Sequence, residues 1–144
     1  MCSCCPSGRL AGGSLAGEAE IVARGARELG DTAMHLLASF QQGRVKQTLA
    51  GACPFLELMG DVLLGWLLLR QAEIASGKME ALAPGAAGAD LESLCEKNTD
   101  AAFYTGKTAV ARFFIRKVTA LAPAKAAAIR DADDSAVSVP EAAL

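Results

Sequence analysis

Residues 54–70 read PFLELMGDVLLGWLLLR, and this stretch decides the fold. The run from Val62 to Leu69 is apolar or glycine on every side, which predicts a central helix with neighbours on several sides. Asp61 and Arg70 border the run, which is far shorter than the ~20 apolar residues of a membrane span. We therefore expect a buried helix in a soluble core, and no membrane span.

Apolar residues recur at intervals of three and four from about residue 17 to residue 42, and again from about residue 44 to residue 76. This period indicates two amphipathic helices. Pro54 is expected to divide the second into a short helix ending near Cys53 and a main helix, because proline cannot continue a helix interior. The side chains predicted to face the core are Val22, Ala26, Leu29, Ala33, Leu36, Phe40, Val45, Leu49, Ala52, Leu56, Met59, Leu63 and Trp66.

A last helix is predicted over about residues 98–130, after a linker at 77–97 that contains glycine and proline and in which residues 90–94 could form one helical turn. Asn98 or Thr99 can cap its start, and Pro123 is expected to bend or interrupt it near its end. The side chains predicted to face the core from this helix are Phe103, Val110, Phe114, Val118 and Leu121.

The composition favours helix throughout. Strong helix formers such as Ala, Leu, Glu, Lys and Arg dominate, and aromatic residues make up only 5% of the chain. The predicted fold class is therefore all-α: an antiparallel bundle of three long helices, or four if Pro54 breaks the second. A formal net charge of −2 offers no basic excess for nucleic acid.

We divide the chain into a disordered lead-in at 1–16, a helical bundle domain at 17–130 and a frayed tail at 131–144. The lead-in is rich in Gly, Ser and Cys and shows no period. The chain has five cysteines, an odd number without regular spacing, which does not indicate a disulfide framework. Reduced thiols and a cytoplasmic location are the simpler expectation.

No set of residues predicts a catalytic, cofactor-binding or metal-binding site. His35, the single histidine, has no partner at a fixed spacing, so we interpret it as a residue at the edge of the core. Cys2, Cys4 and Cys5 lack the second ligand pair of a zinc site. Residues 106–108 (GKT) are similar to the end of a phosphate loop but lack its upstream glycine and fall within a predicted helix.

Asp61 is the polar residue next to the most apolar run, and a buried carboxylate is costly unless it is paired. Counting inward from the linker along two antiparallel helices brings Arg112 and Arg116 within about a turn of Asp61. We predict that Asp61 pairs with Arg112 or a neighbouring base. The alternative is that Asp61 acts as a catalytic base.

Residues 54–72, and residues 102–114 (AFYTGKTAVARFF), carry a family resemblance. They are similar to the penultimate and last helices of the additional C-terminal domain of large acyl-CoA dehydrogenases. In that last helix a Tyr-x-Gly-Lys stretch leads into an Ala-Arg-Phe-Phe core. Together with the first helix, the resemblance covers residues 17–130. The residues to which we assign structural roles are Asp61, Trp66, Arg70, Tyr104, Lys107, Arg112, Phe113 and Phe114.

The resemblance implies enzymes that oxidise acyl-CoA thioesters with FAD, using a carboxylate base. Those steps belong to a dehydrogenase core that this chain lacks, so Glu57 and Glu73 are not assigned as that base. The implied function is a structural and interaction domain of an FAD-dependent acyl-CoA dehydrogenase, not catalytic alone, that packs on the core or on a second copy. The alternatives are one subunit of a split dehydrogenase, a truncated gene product, or an unrelated helical module that binds a partner helix or an acyl chain.

Overall fold

The computed structural model describes residues 15–131, 133, 135 and 137–143. These residues form helices and no strand, which confirms the all-α fold class. The lead-in predicted at 1–16 lies, up to residue 14, outside the described residues, as do residues 132, 134, 136 and 144 of the tail. The helices are α1 (Ala16–Gln41), α2 (Val45–Ala50), α3 (Ala52–Leu82), α4 (Gly88–Lys97), α5 (Thr99–Lys117) and α6 (Ala122–Asp131), with 3-10 turns at Thr119–Leu121 and Glu141–Ala143.

The first two breaks in the helices fall at glycines. Gly43 ends α1 with a positive φ of 81°, a conformation that glycine adopts without a steric penalty. Gly51 separates α2 from α3. Pro54 then lies in the first turn of α3, where its missing N–H removes no helical hydrogen bond. The predicted division of the second helix near Pro54 is therefore confirmed.

The linker predicted at 77–97 is much shorter than expected. Helix α3 continues past Gly77 to Leu82, and α4 occupies most of the remainder. One glycine costs a helix interior only about 1 kcal/mol, which the strong helix formers after Gly77 outweigh. The connection between α3 and α4 is therefore confined to residues 83–87, where Gly85 has a positive φ of 71°.

The start of α5 is capped as predicted. The side chain of Asn98 accepts hydrogen bonds from the backbone N–H groups of Asp100, at 3.0 Å, and Ala101, at 3.2 Å. The helix ends at Lys117, and a 3-10 turn leads into α6. Pro123 is the second residue of α6, a position in the first turn that tolerates proline. The predicted last helix is therefore two helices, and the interruption comes about one turn before Pro123.

Helix α3 lies at the centre and contacts α1, α5 and α6. It runs antiparallel to α5, because Asp61 lies beside Thr119 at one end while Ala75 and Tyr104 line one cavity nearer the other. Helix α1 runs parallel to α5 and α6, since Glu18 meets Arg116 and Glu28 meets Arg130.

The face of α3 that packs into the bundle is not the predicted one. The predicted stripe of Leu56, Leu63 and Trp66 is exposed, and Phe103 and Val110 of α5 are exposed as well. Helix α3 is apolar nearly all round, so the spacing of its apolar residues cannot single out one face. Small residues allow helices to approach closely, and most of the buried positions are small. The buried residues of the two helices are Leu58, Val62, Gly65, Leu69, Ala72 and Ala75 in α3, and Ala101, Ala111 and Ile115 in α5.

Helices α1 and α3 and the 3-10 turn after α5 approach one another closely at Gly25, Gly65 and Thr119. A Cβ atom at Gly65 would lie only 3.2 Å from the Cβ atom of Thr119, and one at Gly25 would lie 3.2 Å from Cγ2 of Val62. The hydroxyl of Thr119 donates to the backbone oxygen of Asp61 at 3.2 Å. The crossing requires glycine at position 65, because a Cβ atom there would overlap the hydroxyl of Thr119. It lies between two core clusters, one formed by Leu15, Val22, Leu69, Ala72, Ala111 and Ile115, the other by Leu58, Val62, Ala122, Ala126 and Ile129.

Helix α3 is long and apolar enough to cross a membrane when judged by length and composition alone. Its 31 residues exceed the length expected from residues 62–69, and its most apolar window has a mean hydropathy of 1.6. Only 22% of that window is buried inside the structure. The predicted buried helix has neighbours on several sides, as expected, but its burial is confined to the side that packs into the bundle, and the other side is exposed.

Candidate docking surface

A line of exposed apolar side chains runs along the outer side of α3, and we call it the outer ridge: Leu56, Leu63, Leu67 and Ile74. These residues are spaced by seven, four and seven positions, which places them on one side of a helix. Their exposed fractions are 58%, 49%, 49% and 61%. A contiguous row of half-exposed leucine and isoleucine side chains is typical of a protein interaction surface.

A groove between α3 and α5 lies next to the outer ridge, and we call it the α3–α5 groove. It consists of two adjoining cavities of about 220 and 310 Å³ that share Gln71, Phe103 and Lys107. Ile74 belongs both to the outer ridge and to one wall of the groove. The two features therefore form one surface of the α3–α5 pair. The other lining residues are Leu68, Ala75, Ala102, Tyr104, Gly106 and Val110.

Three residues of the predicted last-helix motif meet in this groove. The ring of Tyr104 packs edge-on against the ring of Phe103, with centroids 5.6 Å apart and planes at 72°. The amine of Lys107 lies 5.3 Å from the centre of the Phe103 ring, a cation–π contact. Lys107 forms no ion pair with any residue that the structure describes. Its charge is therefore held over an aromatic ring without a carboxylate beside it.

Asp61 forms an ion pair, as predicted, but not with the predicted partner. Its Oδ2 atom lies 2.6 Å from Nζ of Lys125 in α6. The predicted register was wrong because it took α3 to end near Gly77. Helix α3 ends at Leu82, 21 residues after Asp61, and 21 residues after the start of α5 at Thr99 is position 120. Asp61 therefore lies level with the 3-10 turn and the start of α6, beyond Arg112.

Arg112 and Arg116 instead meet Glu18, a residue that the sequence analysis did not single out. Glu18 is only 1% exposed, and its Oε1 atom lies 2.7 Å from Nη2 of Arg116 and 3.9 Å from Nε of Arg112. Its Oε2 atom is buried and accepts no hydrogen bond from a described residue. Glu18 lies in the first turn of the amphipathic helix α1, where an acidic residue is expected to be at the surface. Only the parallel packing of α1 on α5 shows that it is buried.

The other predicted structural residues do not converge on one site. Trp66 and Phe113 are exposed, and Phe114 is half-buried. Arg70 pairs with Glu73 one turn away, with Nη1 and Oε2 3.5 Å apart. His35 is half-buried on α1. Of the residues predicted to have structural roles, Tyr104 and Lys107 lie together in the α3–α5 groove.

A flavin dinucleotide does not fit four cavities that the described residues line. These cavities hold about 220 to 310 Å³ each, at or below the lower end of the range for small-molecule sites. A single cationic side chain lines each of them, whereas a pyrophosphate needs several donors. Within the part of the chain that the structure describes, no three His, Cys, Asp or Glu side chains group as metal ligands.

The geometry defines an all-α helical domain whose central helix presents an apolar ridge on its outer side. Residues 4–140 match the family described as acetyl-CoA dehydrogenase C-terminal like. The chain belongs to this family, which confirms the predicted relationship to the C-terminal domain of acyl-CoA dehydrogenases. The match extends beyond the residues 17–130 that carry the resemblance in the sequence.

A curated relative supports the same relationship. The chain is 34% identical over 94 residues to FadE5 of Mycobacterium tuberculosis, a broad-specificity linear acyl-CoA dehydrogenase. The matched region covers 65% of this chain and 13% of the relative. The chain therefore resembles one small part of a much larger dehydrogenase.

Proposed function

We propose that this chain is a structural and interaction domain of an FAD-dependent acyl-CoA dehydrogenase and is not catalytic alone. In this proposal the outer ridge packs on the dehydrogenase core, which supplies the flavin and the carboxylate base. The core is the remainder of the same polypeptide or a separate chain. Acyl-CoA oxidation then takes place outside this domain.

The single observation that carries the proposal is the bare outer ridge. Leu63 and Leu67 are each 49% exposed, although buried positions lie on the opposite side of the same helix. Burying apolar surface contributes roughly 25 cal/mol per Å², so an uncovered row of leucines favours association. The relative supports a dehydrogenase as the partner, because the matched region is only 13% of that protein.

A lipid surface is the competing partner for an apolar helix face. Arg24, Arg27 and Asp31 are exposed on α1, which packs against α3, so immersing the whole domain in hydrocarbon would bury these charges. Only the outer ridge could contact lipid. The family relationship favours a protein partner over a membrane.

The proposal places the domain in the cytoplasm, as a component of an oxidoreductase. Cys53 and Cys95 are free thiols, which persist in a reducing compartment. Cys53 is exposed, and the Sγ atom of Cys95 lies 3.6 Å from Oγ1 of Thr105, to which it donates.

The experiment compares the reactivity of one introduced thiol in two settings. Leu67→Cys is made in this chain and in a complete dehydrogenase, where this chain replaces the matching region of the mycobacterial relative. Labelling with a thiol reagent is followed by peptide mass spectrometry, which separates the new thiol from Cys53. Leu37→Cys is the matched control, since Leu37 is also a leucine with 49% exposure but lies on α1.

We expect Leu67→Cys to react at least about tenfold more slowly in the dehydrogenase, because a docked interface excludes the reagent. The control Leu37→Cys should react at the same rate in both settings. Equal reactivity of Leu67→Cys in a chimera that retains FAD would overturn the proposal. Slower labelling of this chain alone on anionic lipid vesicles, without slowing in the chimera, would favour the membrane. A tightly held yellow flavin on the purified chain would count against the proposal that this domain is not catalytic alone.

A further inference from the structure

We propose that the α3–α5 groove receives an acidic segment of the dehydrogenase core, whose carboxylate binds Lys107 and whose apolar neighbours pack on Phe103 and Val110. This inference rests on the proposed docking of the outer ridge and names the chemistry of the surface that meets it. The partner segment carries an Asp or Glu between apolar side chains.

The position of Lys107 is the first support. Lys107 lines both cavities of the α3–α5 groove and is the one charged residue in either lining. Two cations at the edge of the core have carboxylate partners, because Arg116 binds Glu18 and Lys125 binds Asp61. Lys107 has none among the described residues, and its amine lies over the ring of Phe103 inside the groove. A cation in an apolar groove is stabilised when a carboxylate is brought to it.

The net charge of α5 is positive, which also favours a negatively charged partner. Residues 99–117 contain four cationic side chains, whereas Asp100, in the first turn, is their single acid. Two of the cations, Arg112 and Arg116, face the buried Glu18 of α1. Lys107 and Lys117 remain exposed. This helix therefore presents positive charge beside an apolar surface, and its complement is an apolar surface that carries negative charge.

The exposure of the lining favours a protein segment over a small molecule. Ile74, Phe103 and Val110 are 61%, 56% and 57% exposed. A pocket for a small ligand covers 70–90% of the ligand, roughly, and needs walls on several sides. The α3–α5 groove covers an occupant on one side only. A helix or extended segment anchored in the core fits such an open surface, because the core covers its other side.

The interaction is expected to gain strength on docking. Covering the α3–α5 groove removes water from around Lys107, and the attraction between opposite charges rises as the local dielectric constant falls. The ring of Phe103 already holds the amine from one side. A carboxylate therefore approaches the open side of the amine, while apolar residues beside it cover Phe103 and Val110.

The test uses the complete chimeric dehydrogenase of the preceding section, carrying Leu67→Cys as the reporter of docking. Lys107→Glu inverts the charge in the groove, and Lys107→Arg keeps it. Lys46→Glu is the matched control, because Lys46 is an exposed lysine on α2, away from the groove. Zero-length carbodiimide cross-linking followed by mass spectrometry identifies any carboxylate that touches Lys107.

We expect Lys107→Glu to reduce the protection of Leu67→Cys about tenfold or more, since like charges then face each other. Lys107→Arg and Lys46→Glu should leave it within about twofold. The cross-link should join Lys107 to an Asp or Glu of the core. Unchanged protection in Lys107→Glu would overturn this inference and leave the proposed docking intact. If Leu67→Cys were not protected from the thiol reagent in the parent chimera, both the proposed docking and this inference would be overturned. Saturable binding of a free fatty acid to this chain, lost in Lys107→Glu, would assign the groove to a small ligand instead.

Discussion

Arg116 binds one oxygen of the buried Glu18 with two of its nitrogens, Nε at 2.8 Å and Nη2 at 2.7 Å. The two residues are 98 positions apart in the sequence. Arg116 is 62% exposed while Glu18 is only 1% exposed, so the arginine reaches inward from the surface to neutralise a carboxylate inside. This pair joins α1 to the end of α5.

Arg116→Met should lower the free energy of unfolding by about 2 kcal/mol, because it leaves a buried carboxylate with only the more distant Arg112 nearby. Urea denaturation followed by circular dichroism measures the change. Lys117→Met is the control, since Lys117 is the exposed neighbour, and it should change stability by less than about 0.5 kcal/mol. Equal effects of the two substitutions would show that Glu18 does not depend on Arg116.

The pair between Asp61 and Lys125 should make stability depend on alkaline pH. The hydrogen bond to Asp61, with the negative charges of Asp61 and Glu57, raises the pKa of Lys125 above its ordinary value of 10.5. A raised pKa in the folded state means that the pair stabilises the fold fully below pH 10.5, and that this contribution is lost as the pH rises through the raised value.

Asp61→Asn should therefore lower the free energy of unfolding by up to about 1 kcal/mol at neutral pH, the size expected for a partly exposed pair. The difference from the parent chain should shrink above pH 10.5, where the unfolded chain gives up the Lys125 proton, and should vanish as the pH passes the raised pKa of the folded state. Asp31→Asn, at an exposed position on α1, should show no such trend. A difference for Asp61→Asn that stays constant from about pH 8 to about pH 12 would contradict the assignment.

The crossing of α3 with the 3-10 turn predicts opposite effects for two glycines of the same helix. Gly65→Ala places a methyl group against Thr119 and should cost about 1–3 kcal/mol through overpacking. Gly60→Ala meets no atom within 4 Å and should stabilise the helix by up to about 1 kcal/mol. Thermal unfolding of both variants measures the contrast. Similar midpoints would show that the helices do not cross closely at Gly65.

The cap of α5 predicts a local loss of stability. Asn98→Ala removes the acceptor for the N–H groups of Asp100 and Ala101 and should cost about 1 kcal/mol. Asn98→Asp should retain most of the stability, since a carboxylate accepts the same bonds. Thr99→Ala changes the adjacent hydroxyl and serves as the control. Amide hydrogen exchange in the first turn of α5 would rise in Asn98→Ala alone.

The long helices and the cap at Asn98 could be predicted because they depend on short-range sequence. Apolar spacing, glycine at breaks and an Asn side chain before a helix each act within a few residues. Pro54 and Pro123 were correctly associated with breaks for the same reason. The error at Gly77 shows the limit, because neighbouring helix formers outweighed one glycine and the helix continued to Leu82.

The orientation of α3 could not be predicted, because its apolar residues surround the helix. Packing was decided by steric fit: Gly65 accommodates Thr119, and Ala72 and Ala111 fill the α3–α5 contact. That choice turned Leu63 and Leu67 outward and created the outer ridge. The partner of Asp61 was mispredicted for a related reason, since pairing across helices depends on helix ends that a sequence locates only within a few residues.

The ion pairs that join α1 to α5 and α6 have a consequence for folding during translation. Glu18 and Glu28 find their arginines 98 and 102 positions later. A ribosome must therefore release nearly all of the bundle before α1 meets its counterparts. Contacts so distant along the chain slow folding relative to helical hairpins of similar size. Until that moment α1 can pack only on α2 and α3, and the part of its apolar stripe that meets α5 and α6 stays uncovered.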